Sequence, residues 1–152
     1  MLRVFFISSL VILLGLSSFA QSDQKVKWKF EAINKGNNTF EVRLLADIDK
    51  GWHLYSRLQS KDAIALPTTI QFSRNPLVEL KGEIREEGTL MDQVDPATRS
   101  RARYYGGKVA FVQKAIRKKK VNTILQGEIE FMVCDDRQCL PPSVVKFQVR
   151  LQ

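Results

Sequence analysis

The strongest constraint on the fold is a strict alternation of apolar and polar residues that recurs along the chain. Near the C-terminus Val145, Phe147, Val149 and Leu151 alternate with Lys146, Gln148 and Arg150. Successive side chains of an extended strand point to opposite faces, so this pattern specifies a strand with one face on a core and the other in water. The pattern returns at Val26, Trp28, Phe30 and Ala32, interleaved with Lys27, Lys29 and Glu31, and again at Phe40, Val42, Leu44, Ala46 and Ile48. Between these two runs, Asn34 to Asn38 has turn chemistry, since Gly and Asn accept positive φ. The two runs read as a hairpin, ended by Asp49-Lys50-Gly51.

Further strand candidates follow at short spacing: Trp52 to Tyr55, Thr68 to Phe72, Leu77 to Ile84, Lys108 to Ile116, Thr123 to Cys134 and Ser143 to Leu151. Roughly seven or eight strands in a chain of 152 residues predict an all-β fold, an antiparallel β-sandwich of immunoglobulin-like type. Two stretches are expected to be irregular: Ser56 to Pro67, and the basic, turn-rich run from Met91 to Gly107. A hydrophobic fraction of 44% and nine Phe exclude a disordered chain.

Residues 1–20 stand apart from this pattern. Arg3 supplies a positive charge, Val4 to Leu16 is almost wholly apolar, and Ser18-Phe19-Ala20 places small residues where signal peptidase reads. An apolar run of about 13 residues spans ~20 Å as a helix, short of a ~30 Å hydrocarbon core, so an export signal is expected in preference to a membrane anchor. Cleavage after Ala20 would leave residues 21–152 as one mature domain outside the cytoplasm.

Export changes how the two cysteines read, because thiols outside the cytoplasm are oxidised and a close pair becomes a disulfide candidate. Cys134 ends one expected strand, and Cys139 precedes the next, ahead of Pro141-Pro142, neither of which can donate to a ladder. On the chain-entropy model a closed loop of about six residues stabilises by only ~2 kcal/mol, against ~4.7 for a loop of 100, so a pure staple would do better joining distant strands. From spacing alone, a redox-active pair and a structural staple both stand. Metal binding ranks below them, since zinc favours four ligands and only His53 remains as a familiar extra one.

The segments Gly51-Trp52-His53-Leu54-Tyr55-Ser56, Tyr104-Tyr105-Gly106 and Cys134-Asp135-Asp136-Arg137-Gln138-Cys139-Leu140-Pro141-Pro142 occur in an order and at spacings that resemble the N-terminal periplasmic domain of the DsbD thiol:disulfide interchange proteins. The resemblance spans nearly the whole mature chain. It implies an immunoglobulin-like domain whose Cys134-Cys139 disulfide is the active site and which needs no cofactor. Electrons would come from a membrane-embedded thiol donor and go to oxidised thioredoxin-like proteins of the periplasm, with a link to cytochrome c biogenesis. It further implies Cys139 as the attacking thiol and Cys134 as the resolving one. His53 and Tyr55 would lie beside the cysteines, and a loop at Arg103-Tyr104-Tyr105-Gly106 would cover them, with Tyr104 as the shield.

The sequence departs from that pattern in three ways. Its cysteine loop has four intervening residues where some members have five. Arg99, Arg101 and Arg103 stand where the best-known members are acidic before the aromatic pair. The chain stops at Gln152, so the membrane donor is expected on a separate polypeptide.

Other features carry less chemistry. His53, flanked by Trp52 and Leu54, is expected to be a half-buried strand residue rather than a base, since thiol-disulfide exchange needs none when a thiolate is supplied. Arg117-Lys118-Lys119-Lys120 is expected to be a solvated turn and not a nucleic-acid site, given export. No nucleophile elbow, zinc-protease helix, phosphate loop or dinucleotide fingerprint occurs. The rival from another class is a non-catalytic exported binding or assembly module whose disulfide only holds a hairpin.

Overall fold

The computed structural model describes residues 25–61 and 63–152, so the expected export signal lies outside the described residues. Nine strands form two antiparallel sheets, and no helix occurs among the described residues. The larger sheet contains β1 (Val26–Asn34), β2 (Thr39–Ile48), β3 (His53–Tyr55), β5 (Val78–Val94), β6 (Arg101–Arg117) and β8 (Val133–Cys134). The smaller sheet is β4 (Thr69–Phe72), β7 (Thr123–Phe131) and β9 (Ser143–Leu151), with β7 in the middle.

The alternation that predicted strands also sets the faces. Phe40, Val42, Leu44, Ala46 and Ile48 of β2 are all buried, and Phe147, Val149 and Leu151 of β9 meet them in one core. Trp28 and Phe30 of β1 reach across to the second sheet, with ring centroids 5.3 Å from Phe131 and 5.5 Å from Phe147 respectively. Apolar side chains from two facing sheets thus interleave, which is the sandwich the sequence predicts. The turn between β1 and β2 holds Gly36, Asn37 and Asn38 at positive φ, the conformation that these residue types accept most readily.

Strand β6 organises the larger sheet. Along one edge it pairs first with β3, through Tyr104 to Gly106, and then with β2, through Lys108 to Ile116. Along the other edge it pairs with β5 over nearly its whole length, with register shifts between Lys81 and Arg85 and between Gly88 and Leu90. The turn at Asp49 to Gly51 therefore breaks what would be one line of pairing into β2 and β3, and β3 carries the Trp-His-Leu-Tyr segment to the end of the sheet.

Two expectations are corrected. Met91 to Gly107 is not an irregular loop: Met91 to Val94 belongs to β5 and Arg101 to Gly107 to β6, leaving only residues 95–100 as a hairpin tip. The alternation is present there, with Ala102 and Tyr104 buried while Arg101 is exposed and Arg103 half-buried. A run rich in arginine read as loop because outward charges on a strand and charges in a turn look alike in sequence. Thr123 to Cys134 is likewise two strands. Phe131 pairs with Ser143 in the small sheet, while Val133 pairs with Leu54 in the large one. Phe131 and Val133 are both buried in the shared core, so the hydrophobic period runs unbroken through a change of sheet. The Ser56 to Pro67 stretch has no strand among its described residues, as expected.

Candidate functional site

One residue of register separates the core from the site. On β3, Leu54 faces the inter-sheet core, together with its cross-strand neighbours Tyr105 and Val133. His53 and Tyr55 point to the opposite face, as do Tyr104, opposite Tyr55, and Cys134, opposite His53. Tyr55, Ala65, Ala102, Tyr104 and Cys134 form a second, smaller buried cluster there. Because side chains alternate with period two, a slip of one position would exchange the two sets.

Cys134 and Cys139 form a disulfide with a Cα separation of 4.0 Å, and the same two residues bridge as the last antiparallel rung beyond β8. The loop between them is closed by its own hydrogen bonds. The Asp135 amide donates to the Gln138 carbonyl at 2.9 Å, and the Arg137 and Gln138 amides donate to Asp135 Oδ1 at 2.8 Å each. Those two amides hold the Asp135 carboxyl below its ordinary range. The Leu140 amide then returns to the Val133 carbonyl at 2.9 Å.

The two sulfurs live in different surroundings. Cys134 is fully buried, whereas Cys139 is exposed. The Tyr55 hydroxyl lies 3.0 Å from Cys134 Sγ and 4.0 Å from Cys139 Sγ. Tyr104 packs on His53 with ring centroids 4.3 Å apart and meets Tyr55 edge-on at 6.4 Å. Its hydroxyl accepts a hydrogen bond from Gln93 Nε2 at 2.6 Å, which ties it to β5. The expectation of a loop covering both cysteines is thereby corrected: Tyr104 sits on a strand and helps enclose Cys134, while Cys139 remains open to solvent. Tyr105 is not part of this pocket. It faces the core, and its hydroxyl donates to Glu86 Oε2 at 2.7 Å.

The residue that sequence reasoning missed is Asp95. It occupies the tip between β5 and β6 and is completely buried. Its Oδ1 accepts the amides of Ala97 and Thr98 at 2.8 and 2.9 Å, which shapes the tip, and Arg99 completes the turn at a φ of 54°. Its Oδ2 receives the Tyr55 hydroxyl at 2.7 Å and faces His53 Nε2 at 2.8 Å. Burial alone would raise the Asp95 carboxyl, but the Thr98 amide, the Tyr55 hydroxyl and His53 outweigh it and hold the group below its ordinary range. Burial, with the Asp95 charge beside it, pushes the Tyr55 phenol strongly upward, so it stays protonated and donates. His53, expected to be half-buried, is in fact buried and spends a ring nitrogen on Asp95. The signal that could have found this site was Asp95-Pro96-Ala97-Thr98, an Asp-Pro turn start in which an Asp side chain caps amides two and three residues on.

The segment after β3 closes the flank. Glu86 Oε2 accepts the Ser56 hydroxyl at 2.6 Å and Oε1 the Arg57 amide at 2.7 Å, and the Ile64 amide reaches Ser100 Oγ at 3.3 Å. Ala65 from this segment packs into the cluster around Cys134. Among the described residues, no group of three or more His, Cys, Asp and Glu side chains gathers as a metal site.

No protein-family model matches the sequence, and no curated protein matches it. Solved structures similar to this chain include the reduced DsbD N-terminal domain of Neisseria meningitidis, at 13% identity and a TM-score of 0.46, covering 83% of this chain and 85% of that one. The N-terminal periplasmic domain of ScsB from Proteus mirabilis is similar at 12% identity and a TM-score of 0.48, covering 83% of this chain and 44% of that one. A complex between the DsbD and PilB N-terminal domains of Neisseria meningitidis is similar at 12% identity and a TM-score of 0.45, covering 80% of each chain. At such identities no residue's role passes from them to this chain.

Proposed function

We propose that this chain is an exported thiol-disulfide carrier whose reactive group is the Cys134-Cys139 pair. The observation that carries the proposal is the inequality of the two sulfurs: one is sealed in an aromatic and polar pocket, and the other, five residues on, is exposed at the end of the sandwich. A structural staple gains nothing from such a division. A carrier needs it, because an incoming partner must reach one sulfur while the second waits to resolve the mixed disulfide.

In the proposed cycle the pair begins reduced. Cys139, as thiolate, attacks a disulfide of an oxidised periplasmic thioredoxin-like protein, and one partner sulfur leaves as a thiolate that takes a proton from solvent. Cys134 then attacks Cys139, which releases the second partner sulfur and closes the disulfide. Two electrons have moved to the partner, and a membrane-embedded thiol donor returns two to reset the pair. His53, Tyr55 and Tyr104 are the surroundings of Cys134 in this scheme, and no cofactor takes part. Localisation in the periplasm follows from the export signal expected at residues 1–20 and from the sequence resemblance to DsbD N-terminal domains.

The test is a trap. Protein carrying Cys134→Ser, expressed with its leader, should accumulate mixed disulfides through Cys139 that reducing agent dissolves, and Cys139→Ser should accumulate none. Equilibration of wild-type protein with glutathione should give a potential above about −300 mV. No trapped species together with a lower potential would instead mark the bond as a structural staple.

A further inference from the structure

We propose that Tyr55 and Asp95 form a proton path serving Cys134 alone, so that the resolving step depends on a buried carboxylate delivered by the tip of the β5–β6 hairpin. This rests on the carrier function above and deepens it by giving the two sulfurs separate proton chemistry.

The Tyr55 hydroxyl has one hydrogen and two close neighbours, Asp95 Oδ2 at 2.7 Å and Cys134 Sγ at 3.0 Å, with Cys139 Sγ farther off at 4.0 Å. A carboxylate is the stronger acceptor and a bonded sulfur a weak one, so the hydrogen points at Asp95. The lone pairs of the phenol oxygen then face Cys134. When the pair is reduced, the Cys134 thiol has an acceptor already in place, and that acceptor has its own hydrogen aimed at a carboxylate. Asp95 is fixed for this role. Its Oδ1 is committed to the Ala97 and Thr98 amides, leaving Oδ2 for Tyr55 and His53. Cys139, exposed and 4.0 Å from the phenol oxygen, has water as its own proton acceptor.

The step balances as follows. With Cys139 joined to a partner, Cys134 Sγ attacks Cys139 Sγ. The Cys134-Cys139 bond forms, the Cys139-partner bond breaks, and its electron pair leaves on the partner's sulfur. The Cys134 proton moves to the Tyr55 oxygen as the Tyr55 proton moves to Asp95 Oδ2. Asp95 later returns a proton to solvent, and the partner thiolate takes one up. Tyr55 touches a reacting sulfur and is catalytic in this step, whereas Asp95 acts through it as a positioning residue.

The charges around the path favour this order of events. His53 and Tyr55 from β3, Tyr104 from β6, and Asp135 and Arg137 from the cysteine loop are the titratable groups about Asp95 and Cys134. With Asp95 ionised, a thiolate on Cys134 would place a second anion in a closed pocket, so the proposed step takes the Cys134 proton during the attack and not before it. Cys139, the exposed sulfur, is the one an incoming partner meets first.

A dithiobis(nitrobenzoate) probe separates the two sulfurs, because reduced protein releases one coloured thiolate when Cys139 attacks and a second when Cys134 resolves. Tyr55→Phe and Asp95→Asn, each close in shape to the native residue, should slow the second release at neutral pH by about tenfold or more while changing the first by no more than about twofold. The deficit should shrink as pH rises, since hydroxide replaces the missing acceptor, and a merely structural defect would not recover in that way. Tyr55→Phe is the cleaner variant because the Asp95 charge stays in place, and it decides alone if Asp95→Asn does not fold. An unchanged second release, equal slowing of both releases, or a deficit insensitive to pH would overturn the proton path and leave the carrier function standing. Wild-type protein that gives no second release would overturn both.

Discussion

The two faces of β3 compare two ways of burying side chains. On one face Leu54 joins Phe111, Phe131, Ile129 and Leu44 in an apolar core. On the other, one residue along, Tyr55 and His53 enclose a disulfide sulfur with a carboxylate, and each polar atom of the Asp95 side chain has partners. The first arrangement is non-directional and gains from area alone. The second is directional: buried polar groups cost free energy unless each finds its partner. The core can therefore hold the sandwich together without drawing on the hydrogen bonds at its end, and the carrier function proposed above requires that separation.

The largest effect should come from breaking the core. Phe131, fully buried and edge-on to Trp28, bridges the sheets just before the chain changes from one to the other. Phe131→Ala should cost about 3–5 kcal/mol in urea denaturation. The comparison predicts that Cys139 in this variant still reacts at its native rate under conditions where the protein stays folded, and a changed rate would show that core and site are not independent.

Next should come the hub of the polar pocket. Asp95→Ala strands the Tyr55 hydroxyl and the Ala97 and Thr98 amides, for a loss of about 3 kcal/mol by the same denaturation. Its pH dependence has a definite sign. The Asp95 carboxyl lies below its ordinary value in the folded protein, so its contribution is present above the unfolded carboxyl's pKa and is lost as pH falls through the folded one. Wild-type protein should thus lose stability on acidification more steeply than Asp95→Asn, and parallel acid profiles would mean that the carboxylate is not ionised in the fold. Reduction of the disulfide ranks below this. A loop of about six residues supplies only ~2 kcal/mol, so reduced protein should remain folded by far-ultraviolet circular dichroism, with a lower denaturation midpoint. Unfolding on reduction would turn the pair back into a staple.

What the sequence disclosed follows the same division. The core strands were legible because Phe40 to Ile48 and Val145 to Leu151 alternate strictly, and alternation needs no knowledge of partners. The cysteine pair was legible from spacing and from the export signal expected at residues 1–20, and His53, Tyr55 and Tyr104 from a resemblance in their flanking residues. Asp95 was not. Its role depends on a 17-residue β5 and a 17-residue β6 bringing a turn back over β3, a matter of strand length and pairing that local pattern does not encode. The exchange of sheets at Met132 was hidden for a related reason, since Phe131 and Val133 face one core from two different sheets.

The smallest effect should come from an aspartate three residues from Asp95 on the same hairpin. Asp92 accepts Arg101 Nε at 2.8 Å and Arg103 Nε at 3.1 Å, close geometry with two guanidiniums, yet it is exposed. Those bonds hold its carboxyl below the ordinary range, so it too favours the fold above acidic pH. In water, however, the attraction is screened and opposed by the entropy of fixing long side chains. Asp92→Asn should leave the melting temperature unchanged within error at moderate salt, with any difference appearing only at low ionic strength. The effect of Asp95→Asn, by contrast, should persist in high salt, because ions do not reach a buried carboxylate. If salt abolished both effects alike, Asp95 would be behaving as a surface charge, and the hairpin tip would not be seated against Tyr55 as its hydrogen bonds require.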